Sequence, residues 1–248
     1  MYRFKEITEA LGRGEFFLEY MPTISLSDGR CVGAEALIRW QRDDTVIYPS
    51  DFIPRVEGTP FAGLISYWVI ETIAKELHQW LREQNQVRIS MNVPPEIIGR
   101  GGLAYTAIRE RLTDVLDKLM IEVTERGLLD AIGVFAINRA VGSNLLIALD
   151  DLVLNDASLL VLSRLECHVV KLDKSFADEM LLPDWTNKKI SGIAALIKSG
   201  HLRVIAEGVE TVRQVEILKK AGVQMAQGWY FSRSLRAADF IDFFAHHQ

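Results

Sequence analysis

Short runs of β-branched and aromatic residues recur along the chain, and from the third run onward the stretch between neighbours has its apolar residues at helical spacing. The runs FFLEYMPTI, CVGAEALIRW, VRISMNV, LMIEVTE, LLIALDD, HVVKLDK, RVIAEGV and MAQGWYFS predict eight strands. The stretches AYTAIRERLTDVL, IGVFAINRAVG, DASLLVLSRL, NKKISGIAALIKSG and TVRQVEILKKAG predict the helices between them. Such repetition calls for a parallel sheet with right-handed crossovers. The first two runs depart from it. Only SLSDGR joins them, too short for a parallel crossover, and Asp28-Gly29 is a turn signal, so antiparallel pairing is expected there. One long helix, FAGLISYWVIETIAKELHQWLREQ, is predicted before the third strand, with Leu64, Trp68, Ile73, Leu77 and Trp80 on one face.

No Gly/Ser/Pro-rich linker divides the 248 residues, so residues 1–248 are expected to form a single domain. Eight strands with alternating helices point to an α/β fold, a TIM-like (β/α)8 barrel with an antiparallel first strand. With 49% of its residues hydrophobic the chain can bury a large core. No apolar run is long enough for a membrane span, and MYRFKEITEALGRGEF carries charges where a secretory leader needs apolar residues, so a cytoplasmic location is expected. Cys31 and Cys167 belong to no CxxC or Cys/His cluster and read as reduced thiols, against a thiol mechanism or structural zinc. The net charge of −5, without a basic block, argues against a nucleic-acid polymer as partner. A small anion stays compatible, because a few arginines or a metal can hold one against an acidic average.

In a barrel of this kind the C-terminal ends of the strands build the functional face. At those ends stand Glu35, Asn92, Glu122 with Glu125, Asp150 with Asp151, Lys171 with Asp173, Glu207 with Glu210, and Gln227. One acid at a strand end is ordinarily solvated or caps the next helix. Several acids in apolar strands converging on one rim repel unless a cation lies between them. Oxygen ligands without His or Cys favour magnesium or manganese over zinc. The adjacent Asp150 and Asp151 suit a carboxylate pair shared between two metals, as a two-metal phosphodiester hydrolase needs. Lys171, opposite in sign, is either a structural counter-charge or a group that touches the attacking water.

These residues in this order resemble the EAL domain family, bacterial phosphodiesterases that linearise cyclic di-GMP to pGpG. GAEALIRW, FIPRVE, ISMNVPP, IEVTER, ALDD, VVKLDKSF, VIAEGVET and QGWYFSR carry the likeness over nearly the whole chain. The resemblance implies a TIM-like barrel, cyclic di-GMP as ligand, two Mg²⁺ or Mn²⁺ per site, a homodimer through the helix of ASLLVLSRL, and room for a regulatory protein partner. By position, Glu35, Asn92, Glu122 and Asp150 resemble ligands of one metal, and Asp150 and Asp151 ligands of the second, with Glu207 at the metal-bound waters. Lys171, Glu35 and Glu207 then form the catalytic set, and Arg39 resembles the arginine that grips a substrate phosphate. Leu37, Met21, Asp173, Glu210 and Gln227 are expected around the substrate, Glu210 and Gln227 also supporting the metals. Glu125 resembles the anchor of the loop after the paired aspartates.

The chain departs from the family's pattern at that loop. Where the family reads DDFGTGYSSL this chain reads DDLVLNDASL, with Leu152, Val153 and Asn155 in place of Phe and two glycines. Val153 cannot adopt glycine's backbone angles cheaply, so loop 152–156 takes another path. Asn155 and Asp156 can cap a helix starting near Ala157. Met21 stands where a glutamine is usual, and Ser234 replaces a proline, a minor change. Three functions stay open: an active phosphodiesterase, a catalytically weak or inactive receptor for cyclic di-GMP, and a protein-interaction module. The first is favoured because the ligand set and Lys171 stand together. The likeness starts almost at Met1, so no sensory segment is expected ahead of the barrel.

Overall fold

The computed structural model describes residues 2–124, 131–141, 144–152, 166–180, 197 and 202–248. The described strands are β1 (Phe16–Ser25), β2 (Cys31–Arg42), β3 (Thr45–Ile47), β4 (Arg88–Asn92), β5 (Leu119–Thr124), β6 (Leu146–Leu152), β7 (Val169–Leu172), β8 (Arg203–Ala206) and β9 (Met225–Ala226). They form one sheet in the order β1-β9-β8-β7-β6-β5-β4-β2-β3, and β1 also pairs with β2, which closes eight of the strands into a barrel. β1 runs antiparallel to both of its neighbours, β2 and β9, and the remaining barrel pairs are parallel. The expected TIM-like barrel with an antiparallel first strand is the one found.

β3 is not predicted by the hydrophobic pattern. It is a three-residue strand folded back on β2 through a turn with Asp43 at positive φ, and it lies outside the barrel's closure. The last predicted strand is shorter than its apolar run. Only Met225 and Ala226 pair, and the chain then turns at Gly228, φ 150°, where a Cβ would overlap the backbone of Val209.

The described helices are α1 (Phe4–Arg13), α2 (Pro49–Phe52), α3 (Pro60–Glu83), α4 (Gly102–Arg109), α5 (Ala131–Val141), α6 (Lys174–Glu179), α7 (Val212–Ala221) and α8 (Ala237–His246). α3 starts at Pro60, behind Thr59, whose hydroxyl accepts from the Phe61 amide. Its buried face runs Phe61, Ile65, Val69, Ile73, Leu77, Leu81, a step of four that keeps one stripe against the barrel. The expected stripe is corrected at its start: Leu64 is 50% exposed, because the first turns bury Phe61 and Ile65 instead. Ile73→Ala is accordingly expected to cost about 2–5 kcal/mol in urea unfolding. Leu64→Ala should stay within about 0.5 kcal/mol, and equal losses would contradict this face assignment.

The helix expected over AYTAIRERLTDVL is broken. α4 ends at Arg109, Arg111 takes a left-handed φ of 61°, and a 3-10 run from Leu112 to Lys118 leads into β5. DASLLVLSRL and all of NKKISGIAALIKSG but Ile197 lie outside the described residues, as do Glu125, Val153, Asn155, Asp156 and Ala157. Cys31 and Cys167 are free thiols. No described helix is long and apolar enough to cross a membrane.

Candidate active site

Strand alternation builds the site. Met120, Ala148, Val169 and Ile205 point into the barrel and form an apolar cluster of their own. Two residues further along the chain from each stand Glu122, Asp150 and Lys171 on β5, β6 and β7, and Glu207 just past the end of β8. A period of two keeps each on the inward face, about 7 Å nearer the C-terminal ends. Parallel pairing adds Glu35 opposite Ser90, and Asn92 opposite Glu122.

Lys171 is completely buried at the centre of these acids. Its Nζ lies 2.9 Å from Glu35 Oε2, 2.8 Å from Glu122 Oε2, 3.4 Å from Asp150 Oδ1 and 2.6 Å from Glu207 Oε1. Asn92 Nδ2 donates to the other Glu35 oxygen at 2.8 Å. Burial by itself favours the neutral amine, but Glu122, Glu207, Glu35 and Asp150 outweigh it and hold the Lys171 ammonium well above its ordinary pKa. With these four acids around it and no cation between them, Lys171 is held as the ammonium.

The acids divide in their response. Burial raises Glu35, yet Lys171 and the Asn92 donor bring its carboxyl below the usual value. For Glu122 burial and the Glu35 charge win over Lys171, and its carboxyl is pushed well above the usual range. Glu207 is pushed up to about 8, chiefly by burial. Glu122 Oε1, Asp150 Oδ1 and Glu207 Oε1 are buried and accept no hydrogen bond, the last two meeting Lys171 only as ionic contacts.

Consecutive residues of a regular strand face opposite sides, so Asp150 and Asp151 should diverge. They do not. Between Leu149 and Leu152 the β6 register gains one residue on β7, and Asp151 takes φ 56°. This bulge at a strand end re-aims a side chain, and aspartate tolerates the left-handed region better than most residues. One oxygen each from Asp150, Asp151 and Glu207 then lies within 4.8 Å of the others, a group that can hold a metal ion. The buried Glu122 Oε1, which has no hydrogen bond, and an all-oxygen donor set fit a hard divalent cation.

The other expected residues sit around this centre in different ways. Leu37 lines a cleft of about 560 Å³ together with Asn92, Glu122, Thr124 and Asp151. Met21 pairs with Glu35 across β1 and β2. Gln227 is buried and donates to Thr23 Oγ1 at 2.8 Å and to the Met21 carbonyl at 3.3 Å, tying β1 to the chain after β9. Asp173 caps α6 through the Ser175 amide, and Glu210 accepts from Lys174 Nζ at 2.6 Å. These two meet none of the central acids by hydrogen bond or ion pair. Lys174 and Arg233 also approach the exposed Trp229 ring, at 5.6 and 3.5 Å from its centroid.

Arg39, four residues beyond Glu35 on β2, is buried and held by partners that the motif did not name. Its Nε donates to Glu19 Oε2 at 2.8 Å, Nη1 to the Ile38 carbonyl and Nη2 to Ser234 Oγ at 3.2 Å. Ser234 in turn donates to Glu19 Oε2 at 2.6 Å. Two of the five guanidinium N–H groups remain for a ligand. Glu19 was legible as the inward neighbour of Met21 and Thr23 in a period-two strand. Nothing local in the sequence marks Ser234, whose role follows from a contact 195 residues from Arg39.

The family model described as EAL domain matches residues 5–234. The chain belongs to the EAL domain family. This EAL domain is 30% identical over 246 residues to the probable cyclic di-GMP phosphodiesterase PdeB of Escherichia coli (strain K12), covering 95% of this chain and 46% of PdeB. It is 30% identical over 242 residues to the cyclic di-GMP phosphodiesterase PA2567 of Pseudomonas aeruginosa, covering 92% of this chain and 40% of that protein. The EAL domain thus spans less than half the length of these curated relatives. Among solved structures it resembles the PaMucR phosphodiesterase in complex with c-di-GMP, with a TM-score of 0.85 and 27% identity, covering 95% of this chain and 98% of that one.

Proposed function

We propose that this EAL domain is a metal-dependent phosphodiesterase that hydrolyses cyclic di-GMP to linear pGpG. The observation that carries the reading is the convergence of Asp150, Asp151 and Glu207 on one point beside the Lys171 cluster, made by a bulge that costs the strand its regularity. The relatives' activity supports the substrate class. Glu35, Asn92, Glu122, Asp150, Asp151 and Glu207 are the residues that would hold Mg²⁺ or Mn²⁺. Two such cations held there would supply an activated water and neutralise charge on the phosphoryl oxygens.

The chain's own groups do the rest. Lys171, at the centre of the acids that would hold the cations, is the group placed to orient that water. Glu35 is held ionised by Lys171 and Asn92, so it enters the site as a carboxylate. Arg39, pinned by Glu19 and Ser234, offers its remaining N–H groups to a phosphate in a fixed orientation, which lowers the entropy lost on binding. Replacing Ser234 by alanine should therefore raise KM about 3–10-fold with little change in kcat, the effect of about one hydrogen bond. A change confined to kcat would remove Ser234 from phosphate positioning.

The deciding experiment is turnover of cyclic di-GMP by the purified chain with Mg²⁺ or Mn²⁺, with Glu35→Ala as control and a binding titration in Ca²⁺. Linear pGpG that disappears in the control establishes the enzyme. Binding without product replaces it with a receptor, and neither binding nor product leaves a protein-interaction module.

A further inference from the structure

The alternation that carries acids to one mouth of the barrel carries arginines to the other. Arg88 lies four residues before Asn92 on β4, and Arg203 four before Glu207 on β8. Each arginine therefore shares its strand's inward face with a site residue, about 13 Å away along the strand. The apolar cluster of Met120, Ala148, Val169 and Ile205 separates the two levels.

Below that cluster opens a cavity of about 1100 Å³, of the order of small-molecule sites. Arg88, Arg203, Lys219 and His168 line it, and no Asp or Glu is among the described residues that do. In a chain of net charge −5 this is a local excess of positive charge. Arg88, Arg203 and Lys219 form no ion pair with any described residue, and the one side-chain hydrogen bond described for Arg88 goes to the Val87 carbonyl at 2.9 Å. Burial and the facing Arg203 charge push the Arg88 guanidinium below its ordinary pKa, against the pull of Asp117. It nevertheless stays charged at any working pH. His168 Nδ1 accepts from the Ile147 amide at 3.1 Å, which leaves the ring proton on Nε2 as a neutral donor.

Cations that line a cavity with no acid among its described lining residues raise the local concentration of anions. Two guanidinium forks match planar oxyanions, carboxylate or phosphate alike. We propose that the N-terminal mouth of the barrel is a second binding site, for a small multivalent oxyanion, built on Arg88 and Arg203. It is separated from the acidic mouth by the apolar cluster and does not depend on the phosphodiesterase reading.

The test is calorimetric titration of the full chain in the presence of a chelator, with pyrophosphate in one arm and citrate in the other. One saturable equivalent of at least one anion is expected, weakened at least tenfold by Arg203→Gln and unchanged within twofold by Glu35→Gln at the opposite mouth. Arg203 is exposed at the start of β8, so its variant should fold like the parent; Arg88→Gln, partly buried, provides the second reading. The arm that binds assigns phosphate or carboxylate. Failure of both anions to bind the parent chain, or binding left intact in both arginine variants, overturns the proposal and leaves an adventitious ion only.

Discussion

Replacing Lys171 with methionine is expected to destabilise the metal-free chain by about 3–5 kcal/mol, the cost of breaking a buried ion pair from one side. Methionine keeps the length and the packing, so the loss isolates the charge. Four carboxylates lie within 3.4 Å of the ammonium, and without it these buried and half-buried groups face one another. They can relieve the repulsion only by taking up protons. The variant's deficit should therefore be smaller at pH 5 than at pH 8, where those protons are harder to keep. Urea unfolding at the two pH values measures it. A deficit below about 1 kcal/mol at pH 8 would mean that the acids are balanced by something other than Lys171. Under the proposed function the same variant loses turnover by at least a thousandfold, because the ammonium that orients the water is gone.

The second large effect is that of the cation. Glu122 and Glu207 have folded-state pKa values above the ordinary 4.5, Glu207 at about 8. A carboxyl raised in this way favours the folded state while it is protonated. Its contribution is full below about pH 4.5 and lost as pH rises through about 8 for Glu207. A divalent cation reverses the preference by favouring the carboxylates, at the cost of releasing their protons. Millimolar Mn²⁺ is thus expected to raise Tm by about 5–10 °C at pH 8, the size of a site filled a hundredfold above its Kd in a chain of this length. The lift should be distinctly smaller at pH 5.5. Asp150→Asn should remove most of it, and chelation should abolish turnover. An equal lift at both pH values, or none at pH 8, would take the cation out of the reading.

Much of this was legible in the pattern of residues. Eight strands, the antiparallel start and the inward-facing series Glu35, Asn92, Glu122, Asp150, Lys171 and Glu207 all follow from periods of two and from connection lengths. The misreadings have local causes. Leu64 is as apolar as its neighbours, and only the packing of α3 on the barrel decides that Phe61 and Ile65 go inward instead. AYTAIRERLTDVL has helical spacing throughout, yet the left-handed turn at Arg111 lets Leu112 and Val115 bury beside the start of β5. β3 is three residues long, too short to leave a periodic signal.

The order of strands and the side of the barrel on which the acids gather were determined by the sequence alone, since alternation along a strand is a property of neighbouring residues. Tertiary structure decided the rest. Whether Lys171 is an ammonium depends on four acids brought in from four other strands or strand ends. The joint aim of Asp150 and Asp151 depends on a bulge set by pairing with β7, and the hold on Arg39 depends on Ser234 near the far end of the chain. Charge states and side-chain aims are fixed by which atoms meet across the fold, and no local pattern encodes those distances.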